Sequence, residues 1–296
     1  MKTSLFQILI FSILLLRSYS AHEQTDSFRG IQNDIMLHPC DSYTAYTLKK
    51  NEFVYNQSPF TFPLPSWAWW GITDKITAEI DLLPLVGGFF VPPHLPVPSL
   101  NFRFKLTEQK GFRPAMAFET MFQHLWSNQN QSNGPVVFVE RFSGNSWYNH
   151  LNMSWYNSKK FRLHVSAGVA YNENLTLTNL DSVKASARFF ERTINPNLSV
   201  SADWRPTPWL STHLTTSYGT TFVYLDNIPR KYQLTYGFRI APFYKAKWGI
   251  LRCFRAEFAA IFIHFPDVKA SMTNYLPVFP YFYWQWNCKK KDKRKP

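Results

Sequence analysis

His164 and Ser166 are the residues of this chain whose types and spacing come nearest to chemistry. In an extended strand, residues i and i+2 share a face, so this imidazole and this hydroxyl point the same way. A base beside a hydroxyl is the start of a nucleophilic site, in which the imidazole takes the hydroxyl proton. A carboxylate would have to orient the ring, and Glu173 or a residue of a neighbouring strand would supply it. Both residue types are also ordinary lining for a polar sheet face. That is the reading the sequence favours, so no catalytic residue is expected. His38, His94, His124, His150, His213 and His264 lack metal-ligand spacing, and no glycine-rich phosphate loop is present. No cofactor and no metal are implied.

The element that carries the pair is residues 160–172, KFRLHVSAGVAYN. Phe161, Leu163, Val165, Ala167, Val169 and Tyr171 fall on one face, and Arg162, His164, Ser166, Gly168, Ala170 and Asn172 on the other. About 9–11 tilted residues carry a β-strand across a bilayer, and this run is long enough. Similar runs recur at 76–82, 99–107, 112–126, 136–142, 147–156, 182–192, 198–204, 209–218, 232–240, 250–263 and 278–286, with a further candidate in 43–55. Turn signals separate them: 108–111, the polar 127–134, Ser143-Gly144-Asn145-Ser146, Asn195-Pro196 and 205–208. Residues 84–98, with five prolines and two glycines, predict a loop that folds as a plug, as a flap or over the surface. The pattern predicts an all-β, antiparallel, up-and-down transmembrane β-barrel of about 12 strands, 14 being the next choice.

Alternation then sorts the charged residues. Glu79, Asp81, Arg103, Lys105, Glu119, Arg162, His164, Lys184, Arg188, Asp203, Arg239, Arg255 and Glu257 are expected to line the lumen, with Arg192 beside them. Buried ions need partners, so part of this set should pair across strands. The basic excess would tilt an open lumen toward anions. Arginine at Val165, on the lipid face, should be costly, and arginine at Ser166 far milder.

Composition agrees with this picture. Aromatic residues make up 18% and charged residues 17%, a ratio suited to a chain with one face in lipid. Most tryptophans fall at predicted strand ends, and Trp67, Trp69 and Trp70 cluster beside the first turn, as interfacial indoles do. Lys2, the apolar run 5–16 and Ser18-Tyr19-Ser20 read as a signal peptide (1–20). A periplasmic lead-in (21–42), the barrel (43–287) and a basic tail (288–296) follow. Net charge is +13, of which the tail gives +5 and the signal +2, leaving +6 for the body. Such a body suits an anionic lipid surface, and no nucleic-acid partner is expected. Cys40, Cys253 and Cys288 lack metal spacing, and a Cys40–Cys288 bridge is one pairing open to them.

Two resemblances bear on function. TAYTLKKNEFVY (44–55) and WGITDKITAEID (70–81) resemble the opening of outer-membrane proteins of the phenol meta-degradation pathway family. That resemblance implies a barrel and passage of small hydrophobic solutes. HVSAG (164–168) resembles the His-x-Ser motif of outer-membrane lipid hydrolases, with Ala167 where those enzymes carry Asn. The expectation is a Gram-negative outer-membrane channel or transporter for small hydrophobic or anionic solutes. Its partners would be outer-membrane lipid, lipopolysaccharide and a small-molecule solute. The alternatives are a structural or surface-interaction barrel with a filled lumen, and a lipid-modifying enzyme using the His-x-Ser pair.

Overall fold

The computed structural model describes residues 44–57, 67–82, 94–95, 99–133, 136–156, 160–180, 185–219, 232–264 and 273–287. The proposed signal, the whole lead-in, nearly all of the 84–98 loop, the basic tail, Cys40 and Cys288 lie outside them. Among the described residues the chain is all-β, and no helix is long and apolar enough to cross a membrane.

The strands are β1 (Glu52–Gln57), β2 (Trp67–Thr73), β3 (Ile76–Asp81), the two-residue β4 (His94–Leu95), β5 (Ser99–Thr107), β6 (Ala115–Asn133) and β7 (Val136–Tyr156). They continue with β8 (Phe161–Leu180), β9 (Ala185–Thr207), β10 (Leu210–Gly219), β11 (Tyr232–Ile240), β12 (Phe254–His264) and β13 (Thr273–Asn287). One helical turn, Gly249–Arg252, precedes β12. All belong to one antiparallel up-and-down sheet. β4 apart, each strand pairs with the one before and the one after it, and β1 also pairs with β13. In that last ladder Phe53 lies opposite Trp286 and Tyr55 opposite Trp284.

Side chains alternate along β8 and β11. In β11, Gln233, Thr235, Gly237 and Arg239 are buried, while Tyr232, Leu234, Tyr236 and Phe238 are exposed. In β8, Arg162, His164 and Ser166 are buried, while Phe161, Ala167 and Val169 are exposed. The polar residues thus lie inside and the apolar ones outside, the reverse of a soluble fold. Cross-strand register joins the outer residues into a band: Phe118 opposite Leu151, Leu151 opposite Ala167, Ala167 opposite Leu198, and Leu214 opposite Tyr236.

Three expected turns do not form. β6 runs through 127–133, β7 through Ser143–Ser146, and β9 through Asn195-Pro196, merging 182–192 with 198–204. Polar turn-type sequences stay extended here because a neighbouring strand continues beside them and takes up their backbone hydrogen bonds. Pro196, which lacks an N–H, lies opposite Val169 of β8, one residue beyond the last described β9–β10 pair, Asn197 opposite Gly219. Gly219 has a positive φ of 94°, and a Cβ there would lie 2.1 Å from the Pro196 carbonyl oxygen. The first strand begins at Glu52, not near Tyr43.

Trp67 and Trp69 also depart from expectation. Both face inward and are almost completely buried, and only Trp70 is exposed. Strand parity decides this, since 67, 69 and Gly71 share the inner face of β2. The indoles fill space inside the sheet instead of marking a membrane boundary.

Candidate functional site

The inner wall from β3 to β9 carries a buried polar network made of several clusters. Glu119 on β6 is its hub, accepting hydrogen bonds from Asn101 Nδ2 at 2.6 Å, Arg103 Nη2 at 2.9 Å and Asn152 Nδ2 at 2.6 Å. Asn101 also donates to Glu79 at 2.7 Å, and Ser99 donates to Asp81 at 3.2 Å. These partners stand directly or diagonally opposite across adjacent strands, Arg103 facing Glu119 in register. Nearest cross-strand positions are within hydrogen-bonding reach of such side chains, so the register itself makes the pairs.

The second centre is His164. It does not meet Ser166, as the sequence spacing suggested. Its Nδ1 lies 2.8 Å from Ser154 Oγ on β7, and its Nε2 lies 3.0 Å from Asp203 Oδ2 on β9. Ser154 is the residue opposite His164, whereas Ser166 is two positions along the same strand, about 6–7 Å away by strand rise. Ser166 instead contacts His150 Nδ1 at 3.3 Å. Donors and acceptors follow one order. Nε2–H donates a hydrogen bond to the Asp203 carboxylate, Nδ1 of the neutral ring accepts from the Ser154 hydroxyl, and Ser154 Oγ accepts from the Ala45 amide at 2.8 Å. A hydroxyl, an imidazole and a carboxylate therefore do lie in line. Yet Ser154 and His164 are fully buried, and a main-chain N–H occupies the approach to the hydroxyl. As it stands, this triad fastens one segment of chain to the wall.

That segment is 44–49, a strap lying against the inner face. Residues 44–48 are all buried. Leu48 N donates to Thr77 Oγ1 at 2.8 Å, Thr47 Oγ1 donates to the Asp74 carbonyl at 3.0 Å, and Arg103 Nη1 reaches the Tyr46 carbonyl at 3.1 Å. The Tyr46 ring stacks on Tyr156 with centroids 4.7 Å apart, meets His164 edge-on at 5.8 Å, and has the Arg162 guanidinium 5.6 Å from its centre. Burial, then the neighbouring Tyr156, lifts the Tyr46 phenol well above its ordinary range, so it stays neutral. A tight turn swings the strap inward from β1. Asn51 adopts a positive φ of 65°, Glu52 N bonds the Lys49 carbonyl, and Asn51 N bonds the Gly71 carbonyl. Gly71 permits the crossing, since a Cβ there would come within 2.0 Å of the Lys49 oxygen.

The expected lining residues divide as follows. Glu79, Asp81, Arg103, Glu119, Arg162, His164, Asp203, Arg239, Arg255 and Glu257 are all buried on the inner face. Arg239 and Glu257 form a buried ion pair in direct register, apart from the Glu119 network. Lys105 lies near the end of β5, partly exposed, and pairs with Glu108 at 3.3 Å. Arg188 falls in β9 opposite Leu177, its side chain outside the described residues, as is Lys184 altogether. Arg192 is exposed and pairs with Glu173 at 2.9 Å, so it does not line the interior. Among the described residues four buried arginines stand against five buried carboxylates, and the expected basic surplus is not present.

Tyr46, Tyr156, His150, Asn101, Asn152 and Ser154 belong to the site and went unselected from the sequence. Strand parity already put Asn152, Ser154 and Tyr156 on the polar face, and an acidic neighbour one strand away was the missing signal. Tyr46 had none, because it is not in a strand. Among the described residues no three His, Cys, Asp or Glu side chains are grouped to hold a metal ion. No protein-family model matches this chain, and no curated protein matches it.

Proposed function

We propose that this protein is an outer-membrane β-barrel whose ring of twelve strands closes through β1 and β13, and that it passes small solutes when the 44–49 strap leaves the wall. One observation carries the membrane reading. Leu100, Phe102, Phe118, Leu151, Val169, Leu198, Val200, Leu214, Leu234 and Phe238 are all more than a third exposed, on the face opposite a buried polar network. An apolar band of this extent in water would be a severe aggregation hazard, and in a bilayer it is the ordinary exterior. Closure through β1 and β13 leaves no strand of the ring with an unpaired edge in lipid, which a membrane-spanning sheet requires.

The strap supports gated passage, because it is irregular backbone fastened by side-chain hydrogen bonds that water can replace, although its release also uncovers Ala45, Tyr46 and Leu48. With carboxylates balancing arginines on the described wall, selectivity by charge is not part of the proposal. The resemblance of 44–55 and 70–81 to the phenol meta-degradation family favours small hydrophobic solutes. A second reading, a permanently filled structural barrel, is favoured by the complete burial of Asn152, Ser154, His164 and Glu257. The test is planar-bilayer conductance of purified protein with and without residues 44–49. Intact protein should conduct rarely and in brief events, and the deletion should conduct steadily. A folded, silent deletion variant would leave the filled barrel in place of the gated one.

A further inference from the structure

The two ends of the sheet differ in chemistry. The connections β2–β3, β5–β6, β7–β8 and β9–β10, each of seven residues or fewer, and the longer β11–β12 connection (241–253) alternate with strand direction and so lie at one end. Backbone bonds tie neighbours together there, Lys105 N to the Lys75 carbonyl, Arg205 N to the Lys160 carbonyl and Ala241 N to the Trp209 carbonyl. Two of these connections pair exposed cations with exposed apolar side chains. On β5–β6, Phe112 is 68% exposed between Lys110 and Arg113, which are themselves exposed. On β11–β12, Trp248 is 72% exposed beside the exposed Lys245 and Lys247, and Ile250 follows at 71%. Lys50, Lys75 and Lys160 are also exposed at this end, and the exposed carboxylates described there are Asp74, bonded to the Lys50 amide, and Glu108, paired with Lys105.

We infer that this short-turn rim docks on a leaflet of anionic phospholipid, with Phe112, Trp248 and Ile250 entering the acyl boundary and Lys110, Arg113, Lys245 and Lys247 binding headgroup phosphates. The inference rests on the membrane-barrel reading and adds the lipid that the barrel selects and the direction in which it sits. Cation beside aromatic is the pattern of a headgroup-level anchor, since the ring takes the interface and the ammonium the phosphate. Short turns mark the periplasmic side of such barrels, where the leaflet is phospholipid, so lipopolysaccharide is not the occupant chosen. At the other end, the described Glu173–Arg192 pair is neutral in sum.

The test uses the full chain folded into phosphatidylcholine bilayers doped with spin-labelled phosphatidylglycerol, phosphatidylcholine or lipopolysaccharide. Electron spin resonance then measures the lipid immobilised at the protein surface. Phosphatidylglycerol should be preferred over phosphatidylcholine by roughly threefold or more at low salt, falling toward parity at about 1 M salt. The variant K110E/R113E/K245E/K247E should lose the preference while keeping its heat-sensitive gel mobility. The salt series on the unaltered protein decides the matter even where the variant does not fold. Equal immobilisation of both phospholipids, a preference unmoved by salt and charge reversal, or a stronger preference for lipopolysaccharide would overturn the inference and leave the barrel standing. No immobilised lipid of any kind would remove both.

Discussion

At the scale of single residues, Ser166 and Val165 show how side determines consequence. Val165 lies on the outer face, and arginine there should cost about 2–4 kcal/mol in a bilayer but little in a detergent that lets the side chain reach water. Ser166 is 1% exposed and touches His150, so arginine there has no room, and the expectation of mildness drawn from the sequence is reversed. Urea unfolding in both media should show Val165→Arg sensitive to the medium and Ser166→Arg damaging in each. Equal behaviour of the two variants would contradict the inside–outside assignment. The hub makes a sharper claim. Glu119→Gln keeps the shape but removes the charge facing Arg103, leaving a buried guanidinium without its carboxylate, at a cost of about 3–5 kcal/mol. Glu119→Gln/Arg103→Met should recover most of that loss. A double variant no more stable than the single one would show that the pair is not what Glu119 provides.

At the scale of elements, the strap and the hairpins behave differently because different forces hold them. Ser154→Ala removes the acceptor of the Ala45 amide, a loss of about 1–3 kcal/mol that falls on the strap and not on the ladder. Gly71→Ala should do the same from below, by placing a methyl where the Lys49 carbonyl now lies. Both variants should speed hydrogen exchange at residues 45–48 while leaving the amides of β7 and β8 slow. Uniform acceleration across the sheet would mean that the strap and wall unfold together. The same distinction explains what the sequence could tell. Alternation in 99–107, 160–172 and 232–240 is a period-two signal that survives into the structure, and with it the burial of the expected inward residues other than Lys105, Lys184, Arg188 and Arg192. Asn195-Pro196 and Ser143–Ser146 were misread because local turn preference is worth less than the ladder bonds of a neighbour, and that neighbour is remote in sequence. The His164–Ser154–Asp203 line spans three strands, so no short motif contains it. The strap is irregular backbone held by side chains, with no period to detect.

At the scale of the whole molecule, everything rests on the ladder between β1 and β13, the pairing of the chain's most distant strands. The other ladders join strands adjacent in the meander, and these would persist in an open, curled sheet. The distant ladder sets Val54 opposite Gln285 and Asn56 opposite Tyr283, so two cysteines there test closure directly. Facing residues of an antiparallel pair have Cβ atoms about 4.5–5.5 Å apart, close enough for a disulfide after small adjustment. In a background with Cys40, Cys253 and Cys288 changed to Ser, Val54→Cys/Gln285→Cys should oxidise quantitatively. Its folded band on an unboiled gel should then resist heating that converts the reduced protein to the slower, unfolded form. A one-residue offset pair, Val54→Cys with Trp284→Cys, controls for chance encounter, because adjacent strand positions point to opposite faces. It should oxidise slowly or not at all. Cross-linking in the offset pair alone would mean a shifted register, which would turn every inward residue of one partner strand to the outer face. Cross-linking in neither pair would leave an open sheet, and with it no way to keep the Glu119 and His164 networks from water.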